Sequence, residues 1–134
     1  MRSGPADHRS ARQAPTDRDS GQATVEFLGM VPLILLLLVL CWQFVLVGYT
    51  FVLAGDAADR AARANAVGES CQAAAARDMP GSWASGASVS CPGHDYGEVA
   101  AATVRLKVPV LFPGSVNLPL TISSRAAAPS EAAE

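Results

Sequence analysis

Phe27-Leu28-Gly29-Met30-Val31-Pro32-Leu33-Ile34-Leu35-Leu36-Leu37-Leu38-Val39-Leu40 opens a stretch of 29 residues without a charge, bounded by Glu26 and Asp56. The stretch continues through Trp42, Phe44, Val45, Leu46 and Val47 to Phe51, Val52 and Leu53. Only Gln43, Tyr49 and Thr50 interrupt it with polar atoms. A hydrocarbon core of ~30 Å is crossed by ~20 helical residues, so this segment is long enough to span a bilayer. The alternative, a buried helix of a soluble domain, needs a surrounding domain. Residues 56–134 hold 20 alanines but only 16 larger apolar or aromatic side chains, too few for a sizeable independent core. Of all 134 residues only 16% are charged, against the ~25% usual for a soluble domain. These figures disfavour a soluble enzyme, a multidomain protein and a multipass transporter. A net charge of −2 gives no basic field for nucleic acid.

Three removal signals compete with a permanent anchor. Val52-Leu53-Ala54 ends in small residues, as a signal peptidase site does, but the apolar run before it far exceeds the ~7–15 residues of a secretory signal. Cys41 follows Leu40, where a lipoprotein signal needs a small residue, so Cys41 reads as a packed thiol. The third signal is at the front of the helix: Asp19-Ser20-Gly21-Gln22-Ala23-Thr24-Val25-Glu26-Phe27. It resembles a class III signal peptide, the type cut by prepilin peptidases after a Gly on the cytoplasmic side. The pattern Gly21, Ala23, Val25, Glu26, Phe27, Pro32 and then Leu-rich helix is similar to the TadE-like pseudopilins of tight-adherence (Flp) pilus systems. The specific part of the resemblance covers residues 20 to about 40.

The resemblance implies a hydrophilic leader over residues 1–21, with Gln22 as the first mature residue and Glu26 as the fifth. Many type IV pilins begin with an N-methylated Phe, whereas Gln22 can cyclise. The family's partners would be a prepilin peptidase, other pseudopilins and pilus assembly proteins, with no small-molecule substrate. In pilins the Glu meets the free α-amino group of a neighbouring subunit. Physical chemistry bears on Glu26 independently, because a carboxylate at the edge of the hydrocarbon is costly and calls for a partner. The plainer reading is an acid favoured by the helix dipole near an N-terminus. Pro32 inside the helix removes a backbone bond, which membrane helices tolerate.

Orientation follows from the basic residues. Arg2, Arg9, Arg12 and Arg18 precede the helix, and only Arg60 and Arg63 fall within the ~20 residues beyond it. The N-terminus is therefore expected in the cytoplasm and the C-terminus outside, on a single-pass protein of the plasma (inner) membrane.

Beyond the span, which is expected over 22–55, residues 56–80 read as a helical stem. Ala54, Ala57, Ala58, Ala61, Ala64 and Cys71 share one face. That face packs either into a bundle of subunits or on the protein's own strands. Pro80-Gly81 is expected to end the helix. A loop over 82–97 follows, with Trp83 and Tyr96 as its large rings. Alternation of Val104, Leu106, Val108 and Val110 predicts one strand, and Leu118, Leu120 and Ile122 a second. The expected fold class is membrane α+β: a long N-terminal transmembrane helix, an Ala-rich stem, and a small disulfide-linked loop and β-hairpin domain over 81–125. A disordered tail is expected over 126–134.

Cys71 and Cys91, outside the bilayer in an oxidising compartment, are expected to pair as a disulfide. The alternative is a metal site built on the Cys91-Pro92-Gly93-His94-Asp95 segment with Cys71. No Ser/His/Asp spacing, phosphate loop or acid–base pair supports catalysis, so no enzyme activity and no cofactor are expected. The runner-up to the pseudopilin reading is an unprocessed single-pass anchor or partner-binding protein.

Overall fold

The structure, a computed structural model, describes Gly4, residues 17–95 and residues 97–130. Most of the expected leader, Tyr96 and the last four residues lie outside the described residues. The element order is α1 (Asp17–Ala66), α2 (Cys71–Ala76), α3 (Gly81–Ala84), β1 (Ser88–Ser90), β2 (Val99–Pro109) and β3 (Asn117–Pro129). The chain divides into two units, Met1–Leu37 and Leu38–Glu134.

In the first unit α1 is apolar and exposed on every side: Val25, Phe27, Leu28, Leu33 and Leu35 are all open. Only 6% of the most apolar 18-residue window of α1 is buried. A core helix of a soluble protein would be mostly covered. Among the described residues this is the one helix long and apolar enough to cross a membrane.

The second unit holds the core. Leu46, Leu53, Ala54, Ala57, Ala58, Ala61 and Ala62 recur at spacings of three and four, one stripe of a helix. They cluster with Ala102, Val104 and Leu106 of β2, with Trp83 of α3, and with Cys71 and Ala75 of α2. The alanine face thus packs on the protein's own strands. Alanine buries little area, and the sheet residues in the same cluster include Ala102, with Ala126 and Ala128 packed against it. The bulkier Val104, Leu106 and Val108 of β2 are each fully buried.

The sheet is antiparallel in the order β1-β2-β3. Its register sets Val104 opposite Ser124 and Leu106 opposite Ile122. β1 pairs with β2 through Ser88↔Arg105, Val89↔Val104 and Ser90↔Thr103. The expected hairpin is therefore a three-stranded sheet. The added strand, β1, has three residues, too few to show alternation in the sequence.

Three expectations about boundaries need correction. The stem does not run as one helix over 56–80, because α1 stops at Ala66. Gly68 adopts φ 76°, Gly68 N donates to Asn65 O at 3.2 Å, and Glu69 N donates to Ala64 O at 2.8 Å. That is a Schellman stop, which glycine enters without a Cβ penalty. Ser70 then caps α2 by accepting from Ala73 N at 3.3 Å. Secondly, Pro80-Gly81 opens a helix where an end was expected: Trp83 N and Ala84 N both donate to Pro80 O. Thirdly, the expected disordered tail is strand as far as Pro129. Ala126, Ala127 and Ala128 pair with Ala102, Ala101 and Ala100. Ladder bonds from β2 order a segment whose own sequence carries no strand signal.

Candidate functional site

Gly21, Gln22, Glu26, Phe27 and Pro32 all lie on α1, in the first unit, and all are exposed. Gln22 and Glu26 are four residues apart, one helical turn, ~6 Å along the axis. An α-amino group created at residue 22 would sit one turn from that carboxylate. A Cβ built at Gly21 meets nothing within 4 Å. Packing therefore gives no reason for glycine there, and glycine inside a helix costs ~0.5–1 kcal/mol relative to alanine. The fold tolerates this residue without requiring it.

The polar residues that interrupt the apolar run have structural partners in the second unit. Gln43 Nε2 donates to Pro109 O at 3.0 Å, and Gln43 Oε1 accepts from Leu111 N at 3.1 Å. Trp42 Nε1 donates to Leu111 O. Thr50 is fully buried. Its Oγ1 donates to Leu46 O at 2.7 Å and accepts from Trp83 Nε1 at 3.0 Å. Tyr49 meets Trp83 edge to face, with ring centroids 5.2 Å apart. Gln43, Tyr49 and Thr50 are thus the points at which α1 holds the β2–β3 turn and α3. The sequence showed them as interruptions of an apolar run but could not say what they touch.

Cys71 and Cys91 form a disulfide, with Cα atoms 6.6 Å apart. It ties the start of α2 to the segment after β1. Asn65 Nδ2 supports the same corner by donating to Pro92 O at 3.1 Å and to Ala101 O at 3.3 Å. With both sulfurs bonded to each other, the alternative metal set loses two ligands. Among the described residues no group of three His, Cys, Asp or Glu could hold a metal. Cys41 is a free, exposed thiol on α1.

Comparison with known proteins covers the segment from Gly21 to Pro32 and the helix under the sheet. The model of the family described as TadE-like protein matches residues 21–63, beginning at Gly21. No curated protein and no solved structure matches. The matched segment takes in Glu26, Phe27 and Pro32, the contacts of Gln43 and Thr50, and most of the buried alanine stripe. Residues 21–63 are thus similar to the TadE-like family.

Proposed function

We propose that the chain is a pseudopilin, a structural or assembly component of a tight-adherence pilus system, released from its leader by a prepilin peptidase that cuts after Gly21. The observation that carries the reading is the TadE-like match, which starts at Gly21 and includes Glu26 and Pro32. The exposed apolar helix supports it, because such a helix suits a bilayer. The protein sits in the plasma (inner) membrane with its N-terminus in the cytoplasm, and its disulfide-bonded sheet faces the oxidising side. It acts without catalysis: it is cut, extracted and packed against other pseudopilins or pilus assembly proteins. Glu26 takes the new α-amino group of a neighbouring subunit as its partner.

Coexpression with a cognate prepilin peptidase tests the reading. The expected product begins at Gln22 or its cyclised form, measured by intact mass and N-terminal peptide mapping. A matched, active peptidase that leaves the chain whole would overturn processing and favour an unprocessed single-pass anchor.

A further inference from the structure

We propose that the turn between β2 and β3 seats in the outer headgroup–acyl boundary of the bilayer, as a second membrane contact beside α1. The span then ends near Trp42 rather than at residue 55. This rests on the membrane reading of α1.

The turn's surface is apolar. Phe112 is 68% exposed and Val116 71%, with Leu111 beside them. No charged residue occurs from 108 to 124. The far end of the sheet carries exposed Asp95 and Glu98. The sheet is therefore polarised, with charge at the end near Asn65 and uncharged apolar side chains at the end near Trp42.

The turn also satisfies its own backbone, which a water-exposed loop has no need to do. Val110 N donates to Val116 O at 2.7 Å, and Ser115 N donates to Phe112 O at 3.2 Å. Ser115 Oγ lies 2.7 Å from both Val110 O and Phe112 O. The carbonyls of Pro109 and Leu111 accept from the Gln43 and Trp42 side chains. Pro113 has no N–H to satisfy. Backbone near hydrocarbon must meet its hydrogen bonds internally, and most of the polar groups in this turn do so. Trp42, half exposed beside the turn, is an amphipathic ring of the kind that marks the membrane interface.

The sheet also limits how deep the protein can sit. Arg105 and Lys107 are exposed on β2, and β3 is an edge strand. Open sheet edges and free charges do not enter hydrocarbon, so the bilayer must end on the turn side of Lys107. Lys107 can reach its ammonium toward the headgroups while its stem stays on the protein. Residues 22–41 are then left for the span. That is 20 residues, the ~20 that one hydrocarbon core requires; they include Glu26, whose carboxylate must then be paired inside the first turns of the span.

The test uses the full chain in vesicles of phosphatidylethanolamine and phosphatidylglycerol, with Cys41→Ser removing the free thiol. Bimane is attached singly at Phe112→Cys, Val116→Cys, Glu98→Cys or Leu36→Cys, and the Cys71–Cys91 bridge is verified in each. Labels at 112 and 116 are expected to lose fluorescence to lipid brominated near the headgroup and to resist aqueous iodide. The label at 98 should show the reverse, and the label at 36 should respond to deeply brominated lipid. If 36 lies in lipid while both 112 and 116 respond to iodide alone, the turn proposal is wrong and the membrane reading stands. Protection of 112 and 116 from both quenchers means that a protein covers the turn, which also overturns the proposal. If 36 itself answers to iodide and not to lipid, the membrane reading fails and the proposal with it.

Discussion

Thr50 shows what a single polar residue in an apolar run can be for. Its hydroxyl closes a chain from Trp83 Nε1 through Thr50 Oγ1 to Leu46 O, and all of it is buried. Thr50→Val keeps the shape and leaves the indole N–H without an acceptor. The expected cost is ~1–3 kcal/mol, read as a lower midpoint in denaturation of the protein in detergent micelles, followed by Trp fluorescence. Adding Trp83→Phe, which removes the orphaned donor, should cost less than the sum of the two single changes. Strict additivity would show that the two residues are uncoupled. Gly21 makes the opposite case, since nothing in the fold depends on it. Gly21→Leu is expected to leave folding unchanged and to block cutting. Normal cutting of that variant by a matched peptidase would remove the role given to this residue.

Among the elements, the end of α1 is the sharpest lesson. Helical periodicity continues past Gly68, yet the chain turns there because glycine reaches φ 76° freely. Gly68→Ala forces a Cβ into left-handed backbone and is expected to cost ~1–2 kcal/mol, by the same micelle denaturation. The alanine stripe makes a second prediction. Ala58 and Ala61 are fully buried where α1 meets the sheet. Ala58→Leu has no space to occupy, so overpacking of ~1–3 kcal/mol is expected. A neutral Ala58→Leu would mean that the helix stands further from β2 than the structure has it.

The whole second unit depends on a modest core and one covalent tie. Its largest fully buried apolar side chains are Leu106, Val104 and Val108, alongside many alanines. A bridge closing a loop of 20 residues contributes ~3 kcal/mol in the loop-entropy model. For so thin a core that is a large share of a typical ~5–15 kcal/mol total. Removing the bridge with the paired Cys71→Ser and Cys91→Ser substitutions is expected to make the sheet sensitive to proteolysis while the membrane helix stays protected. Equal protease resistance with and without the bridge would show that the core suffices alone.

The sequence by itself determined the membrane-length helix, because absence of charge over 29 residues is a local property. It also determined the similarity to the TadE-like family, which begins at Gly21 and whose leading residues are contiguous, and the central strand, whose alternation from Val104 to Val108 is strict. The Cys71–Cys91 pairing was legible as well, since only two thiols lay outside the apolar run. What only the tertiary structure decided depends on residues far apart in the chain. The alanine face suits either a neighbouring subunit or the protein's own sheet, and packing against Ala102 and Val104 selected the sheet. β1 and the end of β3, from Ala126 to Pro129, carry no pattern of their own and form because β2 offers unpaired backbone. The roles of Trp42, Gln43 and Thr50 were hidden for the same reason: their partners, at Pro109, Leu111 and Trp83, lie 33 or more residues away.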